Sequence, residues 1–260
     1  MTMVGDLPRK TAAGRVLAVL DAFGPAHRSL TLSEIARRAG LTLPTAHRLV
    51  GELQMWGALE RDDSGRYSVG LRLLELSALA PRGLGLRDAA FPHLEDLHQT
   101  TRGNVHLGVR DGMEVVYIEA IRARLGNSPT DSHVGDRWPL HVTGTGLVLL
   151  AHASRDLQET VLRGPLARYS PLTIVDPAEL RRRLASIRRT GVAVARGQIT
   201  VPDLVVAVPV LGRRGEVAAA ISVVVRAATA RPHALALALT ETSRAITADL
   251  AGGRSGRNTA

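Results

Sequence analysis

The chain of 260 residues contains no cysteine. That absence excludes a disulfide framework, a thiolate nucleophile and a cysteine-ligated zinc site, and it fits a reducing compartment. Long hydrophobic runs are missing too. Val217 to Val225 is far too short to span a bilayer, and Met1 to Lys10 has no apolar core of signal-peptide length. The expectation is a cytoplasmic protein with no membrane partner. Catalytic signatures are also absent: there is no Gly-x-Ser-x-Gly elbow, Walker loop or metalloprotease helix. The nine histidines do not supply one. His93 and His98 are five apart on a helical stretch and diverge, while His133 and His141 have no companion at ligand spacing. No catalytic residue, metal site or cofactor is expected.

Lysine is nearly absent as well. Lys10 is the only one, so arginine carries almost all of a formal net charge of +9 and a pI of about 11.2. Genome composition explains this usage as well as phosphate recognition does. The surplus invites a polyanion, but its distribution does not locate one. Residues 1–80 hold ten basic and eight acidic side chains, leaving a surplus of seven for the rest of the chain.

Periodicity is more informative. Gly14 to Phe23 places Val16, Leu20 and Phe23 on one helical face, with Leu17 and Val19 beside it, before Gly24 and Pro25 stop it. Thr31 opens a second helix with Glu34 at capping-box spacing, and Leu32, Ile35, Ala36 and Ala39 form its stripe up to Gly40. In a third, Thr42 offers its hydroxyl as cap, Pro44 sits in the first turn, and Ala46, Leu49, Val50 and Leu53 repeat the spacing. Two short segments, Ala58 to Arg61 and Arg66 to Val69, then flank Asp62-Asp63-Ser64-Gly65 as a small hairpin or wing. Leucine-rich Gly70 to Ala80 leads into the breaker cluster Pro81 to Gly85.

Beyond it, Leu86 to Thr101 reads as a helix, and Asn104 to Val109 and Glu114 to Glu119 as strands across an Asp111-Gly112 turn. Helices are expected at Gly144 to Ala153, Pro177 to Arg189 and Ala234 to Ala251, and strands at Gly191 to Ala195, Leu204 to Val210 and Val217 to Val225. The chain is thus expected to divide into a disordered N-terminus (1–12), a winged helix-turn-helix domain (13–70), a linker helix and boundary (71–85), a second domain (86–251) and a disordered tail (252–260).

A helix-turn-helix works because its first helix fixes the second, whose exposed leading half enters the major groove. With the apolar stripe of the third helix turned inward, Thr45, His47 and Arg48 are candidates for bases or phosphates of double-stranded DNA. Thr42 and Pro44, at the helix's leading end, complete that set. Arg37 and Arg38 on the second helix, and Arg61, Ser64 and Arg66 in the wing, are candidates for backbone phosphates. The same spacing occurs in purely structural helical modules, in which these side chains form a solvated face.

The runs Leu32 to Leu41, Pro44 to Leu49, Leu59 to Asp62, Gly65 to Tyr67 and Gly70 to Leu76 resemble the IclR family of bacterial transcription regulators. In the second half Val115 to Glu119, Pro139 to Gly146 and Ala207 to Val210 are similar to family landmarks. The resemblance implies a mixed α+β architecture: winged helix-turn-helix, linker helix and a GAF-like antiparallel-sheet effector domain. It also implies a homodimer or dimer of dimers that binds a pseudo-palindromic operator and senses a small organic, often aromatic, acid. By matching position, Asn104, His106, Thr143, Gly144, Gly146 and Ser222 become effector-site candidates, with the glycines letting an anion approach a helix N-terminus. The sequence departs from the family at Ala195 to Gln198, at Pro202 to Val205 and at Leu147. There Arg196 suits an anionic ligand if its side chain points inward. Two other readings remain open: an enzyme acting on a small molecule with an accessory DNA-binding-like module, and a DNA-binding protein whose second domain only dimerises.

Overall fold

The computed structural model describes residues 11–79, 84–122 and 132–252. The expected disordered ends therefore lie outside the described residues except for Thr11, Ala12 and Gly252, as does most of the breaker cluster at residues 81–85. The chain divides into two compact units, Met1–Leu84 and Gly85–Ala260.

In the first unit, α1 (Ala12–Leu20), β1 (Ser29–Leu30), α2 (Leu32–Ala39), α3 (Leu43–Met55), β2 (Leu59–Arg61), β3 (Tyr67–Val69) and α4 (Leu71–Ser77) follow in order. The capping box at α2 is complete. The Glu34 backbone N–H donates to Thr31 Oγ1 (3.3 Å), and the Glu34 carboxylate accepts from the Thr31 N–H (2.7 Å). Gly40 ends the helix in the left-handed region at φ 66°, which an L side chain resists, so the chain can turn sharply into α3. At α3 the expected cap is corrected. Thr42 caps no backbone N–H, and its hydroxyl instead pairs with that of Thr45 at 2.9 Å. α1 also differs from expectation: it ends at Leu20, and its inner face is Ala18 and Val19. Val16, Leu20 and Phe23 pack at the edge of a core built from Ile35, Leu49, Val50, Leu53, Leu59 and Tyr67. A three-stranded antiparallel sheet of order β1-β3-β2 closes this unit.

The second unit runs α5 (Leu84–Thr101), β4 (Asn104–Asp111), β5 (Glu114–Ile121), β6 (Arg137–Pro139), α6 (Gly144–Ala151), α7 (Arg155–Arg163), α8 (Pro177–Thr190), β7 (Ala193–Arg196), β8 (Asp203–Leu211), β9 (Val217–Arg226) and α9 (Pro232–Gly252). Its six-stranded antiparallel sheet has the order β6-β5-β4-β9-β8-β7. One face packs Leu94 and Leu97 of α5 and Leu239 and Ile246 of α9 against Val105, Val206 and Ile221. The other carries Leu147 and Leu150 of α6 and Leu180 and Leu184 of α8 over Tyr117, Ala207 and Ala220. Covered on both faces, the central strands β8 and β9 are near-continuous apolar runs rather than alternating ones.

Candidate functional site

Two places hold the sequence-derived candidates, one in each unit. On α3, burial of Ala46, Leu49, Val50 and Leu53 leaves Leu43, Pro44, His47, Arg48 and Gln54 exposed, with Thr45 half-buried. Arg48 pairs with Glu52 one turn on, both largely exposed. Such a pair contributes little in water, so the guanidinium stays available to a stronger anion. Leu43, which the apolar stripe also leaves free to face outward, is an exposed apolar side chain at the leading end whose shape suits a thymine methyl.

The flanking arginines divide. Arg37 is exposed at the end of α2. Arg38, by contrast, donates to the Ala22 carbonyl at 2.6 Å and pins the end of α1. Arg66 reaches back across the small sheet to Ser29 Oγ (3.1 Å), the Ser29 carbonyl (2.8 Å) and the Glu34 carboxylate (3.2 Å). These two act as internal ties within the unit. In the wing, Arg61 lies over the Tyr67 ring at 5.5 Å. Ser64 donates to Asp62 at 2.6 Å, and that bond, with a second from the Arg66 N–H, holds the Asp62 carboxyl below its ordinary range.

The second place is a cavity of about 40 Å³ in the α6-covered side of the large sheet. Counted the same way a water needs about 10–15 Å³, so the space holds a few waters and must widen for anything larger. Its polar lining includes His106, Tyr117, Thr143, Gln198 and the buried acidic residue Asp203, and its apolar walls include Val142, Val205 and Val224. A β-bulge builds the centre. Between Leu107 and Gly108 the β5 partner jumps from Glu119 to Tyr117, passing over Ile118. Tyr117 therefore shares a face with His106 and Gly108, while Glu119 turns to the opposite face and accepts from Arg87 Nε of α5 at 2.8 Å.

The His106 and Tyr117 rings stack with centroids 4.7 Å apart and planes inclined by 16°. His106 is 2% exposed, and among the described residues neither ring nitrogen has a hydrogen-bond partner. Burial pushes its pKa down to about 4, so the imidazole is neutral at physiological pH. Burial likewise pushes Tyr117 up to about 12, against the opposing effect of hydrogen bonds to Thr145 and Thr143. The opposite wall is held firmly. The Gln198 side chain accepts from the Ile174 N–H (2.9 Å) and donates to the Leu172 carbonyl (2.8 Å), and Thr173 donates to the Gln198 carbonyl (2.6 Å).

Of the seven effector candidates, His106, Thr143 and Gly144 line this cavity. Asn104 and Ser222 are buried on the same side of the sheet, outside the lining. Gly146 is corrected: its N–H donates to Thr143 Oγ1 at 2.9 Å, and a Cβ there would lie 2.5 Å from the Leu140 carbonyl oxygen. It is a packing glycine, so an anion could reach only the first two amides of α6. Arg196 is corrected as well, being exposed at the end of β7 and absent from the lining. Sequence reasoning missed Tyr117 and Gln198, the first because strand alternation does not reveal a bulge. Among the described residues no cluster of His, Asp and Glu could hold a metal ion, and no helix is long and apolar enough to cross a membrane.

A family model described as the IclR helix-turn-helix domain matches residues 12–63, and one described as bacterial transcriptional regulator IclR C-terminal matches residues 79–248. The HTH-type transcriptional regulator XynR of Escherichia coli is 31% identical over 218 residues, covering 83% of this chain and 86% of its own. BhcR of Paracoccus denitrificans, another HTH-type transcriptional regulator, is 32% identical over 251 residues, 92% of this chain and 87% of its own. Among solved structures, an IclR homolog from Microbacterium hydrocarbonoxydans complexed with 4-hydroxybenzoate is 36% identical. It superposes with a TM-score of 0.88 and covers 94% of this chain and all of that one. XynR and BhcR are both named as transcriptional regulators. A winged helix-turn-helix unit, a helix-flanked antiparallel sheet and both family matches lead to one assignment: the chain belongs to the IclR family of bacterial transcription regulators.

Proposed function

We propose that this protein controls a metabolic or catabolic operon, as repressor or activator, by binding a pseudo-palindromic operator under the control of a small organic acid. α3 enters the major groove with His47, Arg48 and Thr45 toward base edges, and Arg37 and Arg61 meet flanking phosphates. Two copies of α3 are needed to match a palindrome. α4 supports a second copy, since it buries no residue of its own and leaves Leu71 and Leu74 about two-thirds exposed.

The observation that carries the reading is the cavity on the sheet. A buried imidazole without a partner among the described residues, set among hydroxyl groups, Gln198, Asp203 and valine walls, is costly unless a ligand completes it. The 4-hydroxybenzoate held by the Microbacterium relative supports an aromatic acid. A panel of aliphatic and aromatic acids, followed by thermal shift and by fluorescence anisotropy on operator DNA, tests this. At least one acid should raise the melting temperature and change operator affinity, because a ligand selective for the folded state must stabilise it. If no acid does either, the reading fails.

A further inference from the structure

We infer that the second unit carries a DNA contact of its own: the outward face of α8, led by Arg182 and Arg189, binds the phosphate backbone of double-stranded DNA without regard to sequence. This contact rests on the operator-binding reading above and is independent of the cavity.

The charge that the first eighty residues do not hold is concentrated around this helix. Residues 154–196 contain nine arginines and four acidic residues, a surplus of five in a chain whose net charge is +9. α8 alone carries Arg181, Arg182, Arg183, Arg188 and Arg189 against Glu179, and all five arginines are exposed. Its buried stripe is Leu180, Leu184 and Ile187. At about 100° per residue, Arg182 and Arg189 stand almost directly opposite that stripe, with Ala178 and Ala185 beside them. The alanines keep the face low, so a large partner can come close to both guanidinium groups. The two lie about 10 Å apart along the axis, within a Debye length at about 0.1 M salt, so their fields add.

Inside the fold these charges are not answered. Arg181 donates to both carboxylate oxygens of Glu159 (2.8 and 2.9 Å). That bond, with the nearby charges of Arg163 and Arg155 on α7, holds the Glu159 carboxyl below its ordinary range, so three guanidinium groups crowd one acid. Arg183 reaches the Val194 carbonyl at 3.2 Å and so guards the edge of β7. Among the described residues Arg182, Arg188 and Arg189 have no hydrogen-bond or ion-pair partner. The negative end of α8 stabilises Arg188 and Arg189, but Arg182 lies too far from it to benefit.

A polyanion answers all of them at once. Duplex DNA presents about one negative charge per 1.7 Å, guanidinium groups match phosphate oxygens in shape, and the helix-turn-helix unit already brings a duplex to this chain. An acidic protein surface would attract the same arginines, but with no such density of charge.

Anisotropy titrations of the full chain with a mixed-sequence duplex of about 40 bp, at about 50 and about 200 mM salt, test the contact. Losing two phosphate contacts in Arg182→Gln/Arg189→Gln should make the salt slope shallower by about 1.8, so this rise in salt should weaken wild type about tenfold more than the variant. Arg214→Gln/Arg231→Gln removes two charges from exposed sites elsewhere, at the β8–β9 turn and just before α9, and should keep the wild-type slope. Both variants should melt as wild type does, because these side chains tie down nothing in the fold. An unchanged slope in the α8 variant overturns the contact and leaves an acidic protein as the partner to seek. An equal change in the second variant also overturns it, since net charge would then explain the effect. Either result leaves operator binding standing; a wild-type chain that binds no duplex overturns both.

Discussion

Acidification should weaken the second unit through one side chain. His106 has a folded pKa of about 4 against 6.5 for the free side chain, because burial disfavours the imidazolium. Above pH 6.5 both folded and unfolded chains carry it neutral, and it has no effect. As the pH falls through 6.5 the unfolded chain takes the proton first, so stability is lost until the folded state also protonates near pH 4. At about 1.4 kcal/mol per unit the full loss is about 3 kcal/mol, of which about 2 kcal/mol falls between pH 7 and pH 5. The protein has two tryptophans, Trp56 in the first unit and Trp138 in the second. In a Trp56→Phe background, urea titrations followed by fluorescence therefore report the second unit alone. Repeating them at pH 7 and pH 5 with and without His106→Phe cancels every other titrating group, including His141, which burial also shifts downward. The wild-type background should lose about 2 kcal/mol more than the variant. Equal losses would mean that the imidazole is protonated or hydrated inside the fold, and the reasoning on its neutrality would fail.

On the first unit, Arg48→Ala should weaken operator binding by about 1–3 kcal/mol in anisotropy titrations at fixed salt, whereas removal of a merely solvated arginine would change nothing. Arg37→Ala and Arg38→Ala should separate cleanly. The former should reduce the salt dependence of operator binding by about one counterion at an unchanged melting temperature. The latter should lower stability by about 1 kcal/mol through loss of the bond to Ala22. On the second unit, Gly146→Ala should cost about 1–3 kcal/mol in urea, since its Cβ meets the Leu140 carbonyl oxygen and backbone cannot swing aside. An unchanged midpoint would show that α6 can shift to accommodate it.

Where local chemistry dictates structure, the sequence was a sound guide. Thr31, Glu34 and Gly40 define α2 by satisfying its terminal groups, and the period of Ala46, Leu49, Val50 and Leu53 turns α3 inward as expected. Short elements escaped. β1 is two residues long, too few to show alternation, and β6 has only three. α7 could have been recognised, since Ser154 caps it, Asp156 stands in its first turn and Gly164 ends it.

Roles were harder to read than elements, because a side chain's role depends on what long-range folding places beside it. Arg37 and Arg38 are adjacent and chemically identical, yet the end of α1, sixteen residues upstream, supplies a carbonyl to only the second. Gly144 and Gly146 likewise look like one anion-binding loop, but one lines a cavity while the other is pressed against Leu140. His106 is the reverse case. In sequence it is one effector candidate among several, taken by matching position, and what sets it apart arises only when a bulge one residue further along brings Tyr117 onto its face and no partner among the described residues onto its nitrogens. A polar group that the fold encloses without satisfying points to a ligand best where it also lines a cavity, as His106 does and the likewise unpartnered Trp138 Nε1 and Glu114 Oε1 do not.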